Sequence, residues 1–153
     1  MSEGAGLRLL GGALALALAP LVFLHPVRIH GRSMEPGLHS GAVRLALRSW
    51  CAGPPAFGQV WLVRTPAGVV VKRLAGLPGD RVEFRGGRLF INGRRLADGD
   101  PASGRPRPAE TRPAETQPAE TGYFLLGDNL DDSLDSRAWG AVPRGGLLAR
   151  ILP

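Results

Sequence analysis

The chain has 153 residues, enough for one domain with a real core, and its 22 glycines and 14 prolines suit a loop-rich β protein better than a helical one. The formal charge of +6 fits an arginine-rich solvated surface or attraction to anionic lipid. A nucleic-acid partner is argued against, because no long basic run, recognition helix or zinc-finger spacing occurs. A single cysteine, Cys51, rules out an internal disulfide, and His25, His30 and His39 follow no metal-ligand spacing. Neither metal nor cofactor is expected.

Residues 9–24 carry no charge and follow Arg8. A helical span needs about 20 apolar residues, and extension to residue 27 nearly reaches that, so the segment reads as a short membrane anchor. A cleaved secretory signal is the alternative, with Ala17-Leu18-Ala19 as its small-residue site, but Pro20 argues against cleavage there. A buried helix of a soluble protein is a third reading. Arg28, Arg32, Arg44 and Arg48 follow the segment, and the positive-inside rule would keep the downstream domain in the cytoplasm.

Residues 27–30 alternate like a strand and lead into Gly31-Arg32-Ser33-Met34-Glu35-Pro36-Gly37-Leu38, a tight bend rich in turn formers. A serine there can expose its hydroxyl and its backbone N–H to the same space. Residues 42–47 and 59–64 read as strands joined by a Gly/Pro-rich loop, and the apolar Val60-Trp61-Leu62-Val63 suits the middle of a sheet.

Residues 68–74 are apolar and β-branched except for Lys72 and Arg73, which marks a buried strand. Lys72 is the chain's one lysine; every other Lys/Arg position is arginine. Arginine cannot release its proton in a protein, whereas a buried lysine can. Lys72 is therefore a candidate neutral amine base, against the alternative of a chance lysine snorkelling to the surface. Leu77-Pro78-Gly79-Asp80 has the type II turn signature. Residues 81–85 and 88–92 flank Gly86-Gly87 as a hairpin, and Asn92-Gly93 is a second tight turn into residues 94–96.

Residues 98–121 hold three copies of Pro-Ala-Glu-Thr, starting at Pro108, Pro113 and Pro118. They offer too little apolar surface to offset ordering entropy and read as a mobile insert. A strand over 122–126 then runs into the acid-rich Gly127-Asp128-Asn129-Leu130-Asp131-Asp132-Ser133-Leu134-Asp135-Ser136-Arg137-Ala138-Trp139-Gly140. The acids do not follow the calcium-loop spacing and no flanking helices are expected, so an ion-paired loop using Arg73 and Arg137 is preferred. Residues 147–152 close the chain as a last strand.

Three motifs, Ser33-Met34-Glu35-Pro36, the run from Lys72-Arg73 to Pro78-Gly79-Asp80, and Gly127-Asp128 to Arg137-Ala138-Trp139-Gly140, together resemble the bacterial type I signal peptidases. These are serine–lysine membrane endopeptidases, and the motifs stand in the family's order after an apolar segment. The resemblance spans about residues 27–142, apart from the repeat. It implies a mainly β fold of short antiparallel strands with an N-terminal transmembrane helix. It implies an anchor at 1–27 and a catalytic domain at 28–153 carrying the disordered insert at 98–121.

By the same resemblance Ser33 is the nucleophile, Lys72 its general base, and Ser133 the hydroxyl that orients the lysine. Asp128 with Arg73, and Asp135 with Arg137, are supporting ion pairs. Gly31, Ser33 and Met34 form the oxyanion and substrate pocket. The Ser33 N–H serves as oxyanion donor; Gly31 lacks the additional hydroxyl some members place there. Leu130 and Asp132 replace residues common in the family, and the large β insert of some members is missing. The implied substrates are exported precursors cut after small residues in an A-x-A pattern, and membrane lipid is the other partner. The implied location is the cell membrane, single-pass, with the catalytic domain on the extracytoplasmic side, against the arginine count. Alternatives are a dedicated maturation protease with one substrate, a self-cleaving repressor-type protease, and an inactive membrane-tethered interaction protein.

Overall fold

The computed structural model describes residues 22–85, 88–96, 115–118 and 122–153. Its strands are β1 (Leu24–Arg28), β2 (Val43–Arg48), β3 (Val60–Thr65), β4 (Gly68–Gly76), β5 (Arg81–Arg85), β6 (Arg88–Ile91), β7 (Arg94–Arg95), β8 (Glu115–Pro118), β9 (Phe124–Leu126) and β10 (Leu147–Ile151). One helical turn, α1 (Ser136–Trp139), and two short 3₁₀ turns complete the described elements. The fold is mainly β, as the composition suggested. One sheet runs β1-β2-β10-β3-β4-β9 and a second runs β7-β6-β5-β8. The pairings are antiparallel throughout, as expected where tight turns join neighbouring strands.

Strand β3 lies inside the larger sheet, between β10 and β4, and buries Trp61 and Val63 completely on one face. They pack with Leu74, Leu125 and Leu147, while the other face gathers Ile29, Met34, Ala46, Ala149 and Ile151. Strand β10 buries Leu147, Ala149 and Ile151, and a register shift between Leu147 and Ala149 turns Leu147 toward the Trp61 layer while Ala149 and Ile151 face the other. The Trp61 indole N–H donates to Gln59 Oε1 at 3.1 Å, so burial leaves no polar orphan on the ring. The turns follow the sequence reading: Gly79 has φ +91 after Pro78, and Asn92 and Gly93 have φ 52 and 75, the paired left-handed residues of a type I′ turn.

Three expectations change. The anchor read to residue 27 overlaps β1, whose Leu24 to Arg28 pair with Leu47 to Val43. Most of that segment lies outside the described residues, and no helix among them is long and apolar enough to cross a membrane. The physical reason for the overlap is that residues 24–27 are apolar enough for either role, and the neighbouring β2 offers unpaired backbone groups. The insert at 98–121 lies mostly outside the described residues, yet Glu115–Pro118 form β8 against Arg81 to Phe84. An open edge such as that of β5 accepts main-chain pairing whatever the side chains. Finally, the acid-rich loop contains α1, whose start is capped when Arg137 N donates to the Asp135 side chain.

Candidate active site

Strand β4 carries Lys72 opposite the fully buried Trp61. The residue is 3% exposed. The reading of a chance surface lysine is therefore set aside. Its Nζ stands 2.7 Å from Ser33 Oγ, with the amine donating to the hydroxyl across 39 residues of sequence. Burial pushes the amine pKa below the ordinary lysine value of 10.5; the Asp135 carboxylate opposes that shift, and the Arg137 guanidinium reinforces it.

Ser33 sits in the bend after β1. Gly31 has φ +84, a conformation glycine adopts at no steric cost, and the space beside it is open. Leu38 N donates to Met34 O at 2.7 Å and closes the turn. Met34, 1% exposed, anchors it into the core with Ile29 and Leu38. Among the described residues nothing accepts from the Ser33 N–H, which leaves that donor available beside the hydroxyl.

Successive strand residues point to opposite faces, so Arg73 turns away from its neighbour Lys72. It grips Asp128 through Nε–Oδ1 and Nη2–Oδ2, both 2.7 Å, and donates Nη1 to Gly58 O at 2.7 Å. Asp128 is 3% exposed. The second expected pair is also formed: Arg137 donates to Asp135 through Nε at 2.8 Å and Nη2 at 2.9 Å. Asp135 is fully buried and additionally accepts from Gly127 N at 3.2 Å. Arg137 Nη2 reaches Leu130 O and Ser133 O, so one guanidinium ties down the whole loop.

This loop touches the nucleophile directly. Asn129 N donates to Ser33 O at 3.0 Å. Gly127 lies so close to the Ser133 hydroxyl and to Ser33 O that an added Cβ would collide with both. A Cβ on Gly37 would likewise strike Asp128 Oδ2. The two glycines, lacking a Cβ, let the 31–38 bend and the acid-rich loop press together around the Asp128 and Ser133 side chains.

One expected contact is not made. The Ser133 hydroxyl is buried without a hydrogen-bond partner among the described residues, so it does not hold Lys72. The amine points to Ser33 instead, and Ser133 is wedged against Gly127. Sequence reading also missed Ser136, fully buried, whose Oγ accepts from Leu125 N at 3.0 Å and fastens α1 to β9. The signal for it was a small polar residue directly after a capping Asp, which by itself only marks a helix start.

The family model described as "Signal peptidase, peptidase S26" matches residues 5–152. The chain belongs to this family. Signal peptidase I of Leptolyngbya laminosa is 32% identical over 160 residues, covering 96% of this chain and 76% of that protein. Signal peptidase I of Bacillus amyloliquefaciens is 33% identical over 135 residues, covering 82% of this chain and 70% of the relative. A solved signal peptidase I from Enterococcus faecalis V583 is 31% identical with a TM-score of 0.49, covering 65% of this chain and 97% of that one. In this signal peptidase family chain, the three motifs that carried the resemblance meet at one place, the contact between Ser33, Lys72 and the 127–137 loop.

Proposed function

We propose that the chain is a serine endopeptidase that removes signal peptides from exported precursor proteins, with Ser33 as nucleophile and Lys72 as general base. The observation that carries this is the 2.7 Å approach of a buried amine to a loop hydroxyl. A hydroxyl needs a base within hydrogen-bond reach, and a desolvated amine serves once it is neutral. In that state the hydrogen bond reverses and Ser33 donates to Nζ. Oγ attacks the scissile carbonyl while its proton passes to the amine. The oxyanion that forms accepts from the free Ser33 N–H. Collapse expels the new amino terminus, which takes the proton from Lys72. Water, deprotonated by the same amine, then hydrolyses the acyl-enzyme.

The remaining residues act by position. Arg73–Asp128 and Asp135–Arg137 fix the strand that holds the base and the loop that braces the nucleophile. Ser133 receives the amine when it leaves Ser33, a role that its unpaired hydroxyl beside the site supports. Gly31 leaves room for the substrate backbone, and Met34 floors the bend. The substrate lies extended, presenting small A-x-A side chains to shallow pockets. Residues preceding β1 anchor the chain in the membrane, in contact with its lipid, with the catalytic domain outside the cytoplasm.

The test is incubation of the detergent-purified chain with an exported precursor. Cleavage at the A-x-A site, lost in Ser33→Ala and in Lys72→Arg, is the expected result. Full activity of Lys72→Arg would refute the mechanism, because arginine keeps the charge but cannot act as a base.

A further inference from the structure

The nucleophile's turn carries a charged clasp that the cleavage mechanism does not use. Glu35 N donates to Arg32 O at 3.0 Å, closing a four-residue turn over Arg32-Ser33-Met34-Glu35. The two end residues also pair through their side chains, Arg32 Nε to Glu35 Oε2 at 3.3 Å. The Arg32 side chain is 71% exposed and that of Glu35 27%. So exposed a pair contributes little to stability, because water screens it and both side chains lose freedom. The bend has other supports: Met34 is buried, and Asn129 N and Leu38 N donate to Ser33 O and Met34 O. The clasp therefore sets a solvent-facing cation next to the reacting hydroxyl, held by a partner that water can reach.

We propose that Arg32 favours substrates with an acidic side chain shortly after the cut, and that Glu35 occupies the guanidinium until a substrate carboxylate displaces it. This rests on the peptidase reading. Ser33 Oγ meets the scissile carbonyl, and Arg32 is its chain neighbour, with Cα atoms about 3.8 Å apart. An extended substrate advances about 3.3 Å per residue, so an exposed arginine there reaches side chains within a few positions of the cut. The side preceding the cut is closed to a carboxylate, because a signal peptide places apolar and small residues there. The released chain carries no such restriction. A substrate carboxylate offers the guanidinium the same two-oxygen acceptor as Glu35, so the exchange keeps the charge-assisted contact. Asp132, exposed on the loop that meets this turn, also acts on Lys72, so the share of Arg32 is read from how its own substitution changes selectivity.

The experiment gives the detergent-solubilised full chain two otherwise identical A-x-A peptides in one tube, bearing Asp or Lys at the second position after the cut. Mass spectrometry of the products yields the ratio of kcat/KM for the Asp peptide over the Lys peptide. Arg32→Gln should lower that ratio about two- to fivefold, the worth of one exposed charge pair. Arg32→Glu should lower it further while still cleaving the Lys peptide, which shows that the variant is folded. Glu35→Gln removes the competing carboxylate and should raise the ratio. Salt at about 1 M, where the screening length is roughly 3 Å, should shrink these differences. A substitution that merely loosened the turn would slow both peptides alike. Cleavage with a ratio indifferent to Arg32 would overturn this inference alone, whereas cleavage of neither peptide by wild type would overturn the peptidase reading with it.

Discussion

The two sheets bury carboxylates in different ways. In the smaller sheet Glu83, 3% exposed, is flanked on its own strand by Arg81 and Arg85, both ion-paired to it and both largely exposed. Those pairs span two residues each and join nothing distant. At the edge of the larger sheet Asp128 and Asp135 are buried equally well, but Asp128 binds an arginine 55 residues away. Asp135 holds its own loop closed and accepts from Gly127 N as well. The lesson is that burial of a charge says little until one asks which elements its partner connects. Glu83 tidies one strand, whereas Asp128 and Asp135 lock the base-bearing strand and the bracing loop into one frame.

That contrast can be broken or sharpened by substitution. The largest effect belongs to the reacting atoms: Ser33→Ala or Lys72→Arg should lower precursor cleavage by a factor on the order of 10³ or more in a timed cleavage assay. Next, Asp128→Asn leaves Arg73 without its buried counter-charge, and should destabilise by about 3–5 kcal/mol in a denaturant melt. Gly127→Ala forces a Cβ against Ser133 and Ser33 O, with an expected loss of about 1–3 kcal/mol. It should also lower kcat, because the displaced atoms belong to the nucleophile's support.

A smaller effect concerns pH. Cleavage needs the neutral amine, so activity falls as pH drops below the Lys72 pKa. Since burial lowers that pKa, the acid limb of kcat/KM should lie below the ordinary lysine range of about 10.4. Asp135→Asn removes the carboxylate that opposes the shift and exposes Lys72 to an unpaired Arg137, so the limb should move to still lower pH. An upward move would contradict the assigned cause. The same depression means that the folded chain binds fewer protons than the unfolded one between the two pKa values, so Lys72 makes stability rise with pH across that window. Smallest of all, Glu83→Gln should change stability by no more than about 1 kcal/mol, because its arginines remain solvated, and should leave cleavage intact. A large loss of activity there would erase the distinction between the sheets.

The strands were legible because their signals are local. Apolar alternation placed β2, β3 and β10 within a residue or two, and glycine after proline or asparagine marked the turns. Less legible were features set by a partner. Strand β8 forms on a polar repeat because β5 presents an edge, and α1 forms because Asp135 caps a turn that the acid-rich pattern hid. Residues 24–27 could serve anchor or strand, and pairing with β2 assigns them to β1.

The site divides along the same line. One lysine in an arginine-biased chain, set among valines, already marked a proton-labile amine in the sequence, because residue type and local burial govern pKa. Three separated motifs marked the family. Distance did not belong to the sequence. That Lys72 meets Ser33 rather than Ser133, that Ser136 fastens α1 to β9, and that Gly37 and Gly127 let two loops touch are all outcomes of packing. Such contacts join residues far apart in the chain, where only the assembled sheet and the buried ion pairs fix the last few ångströms.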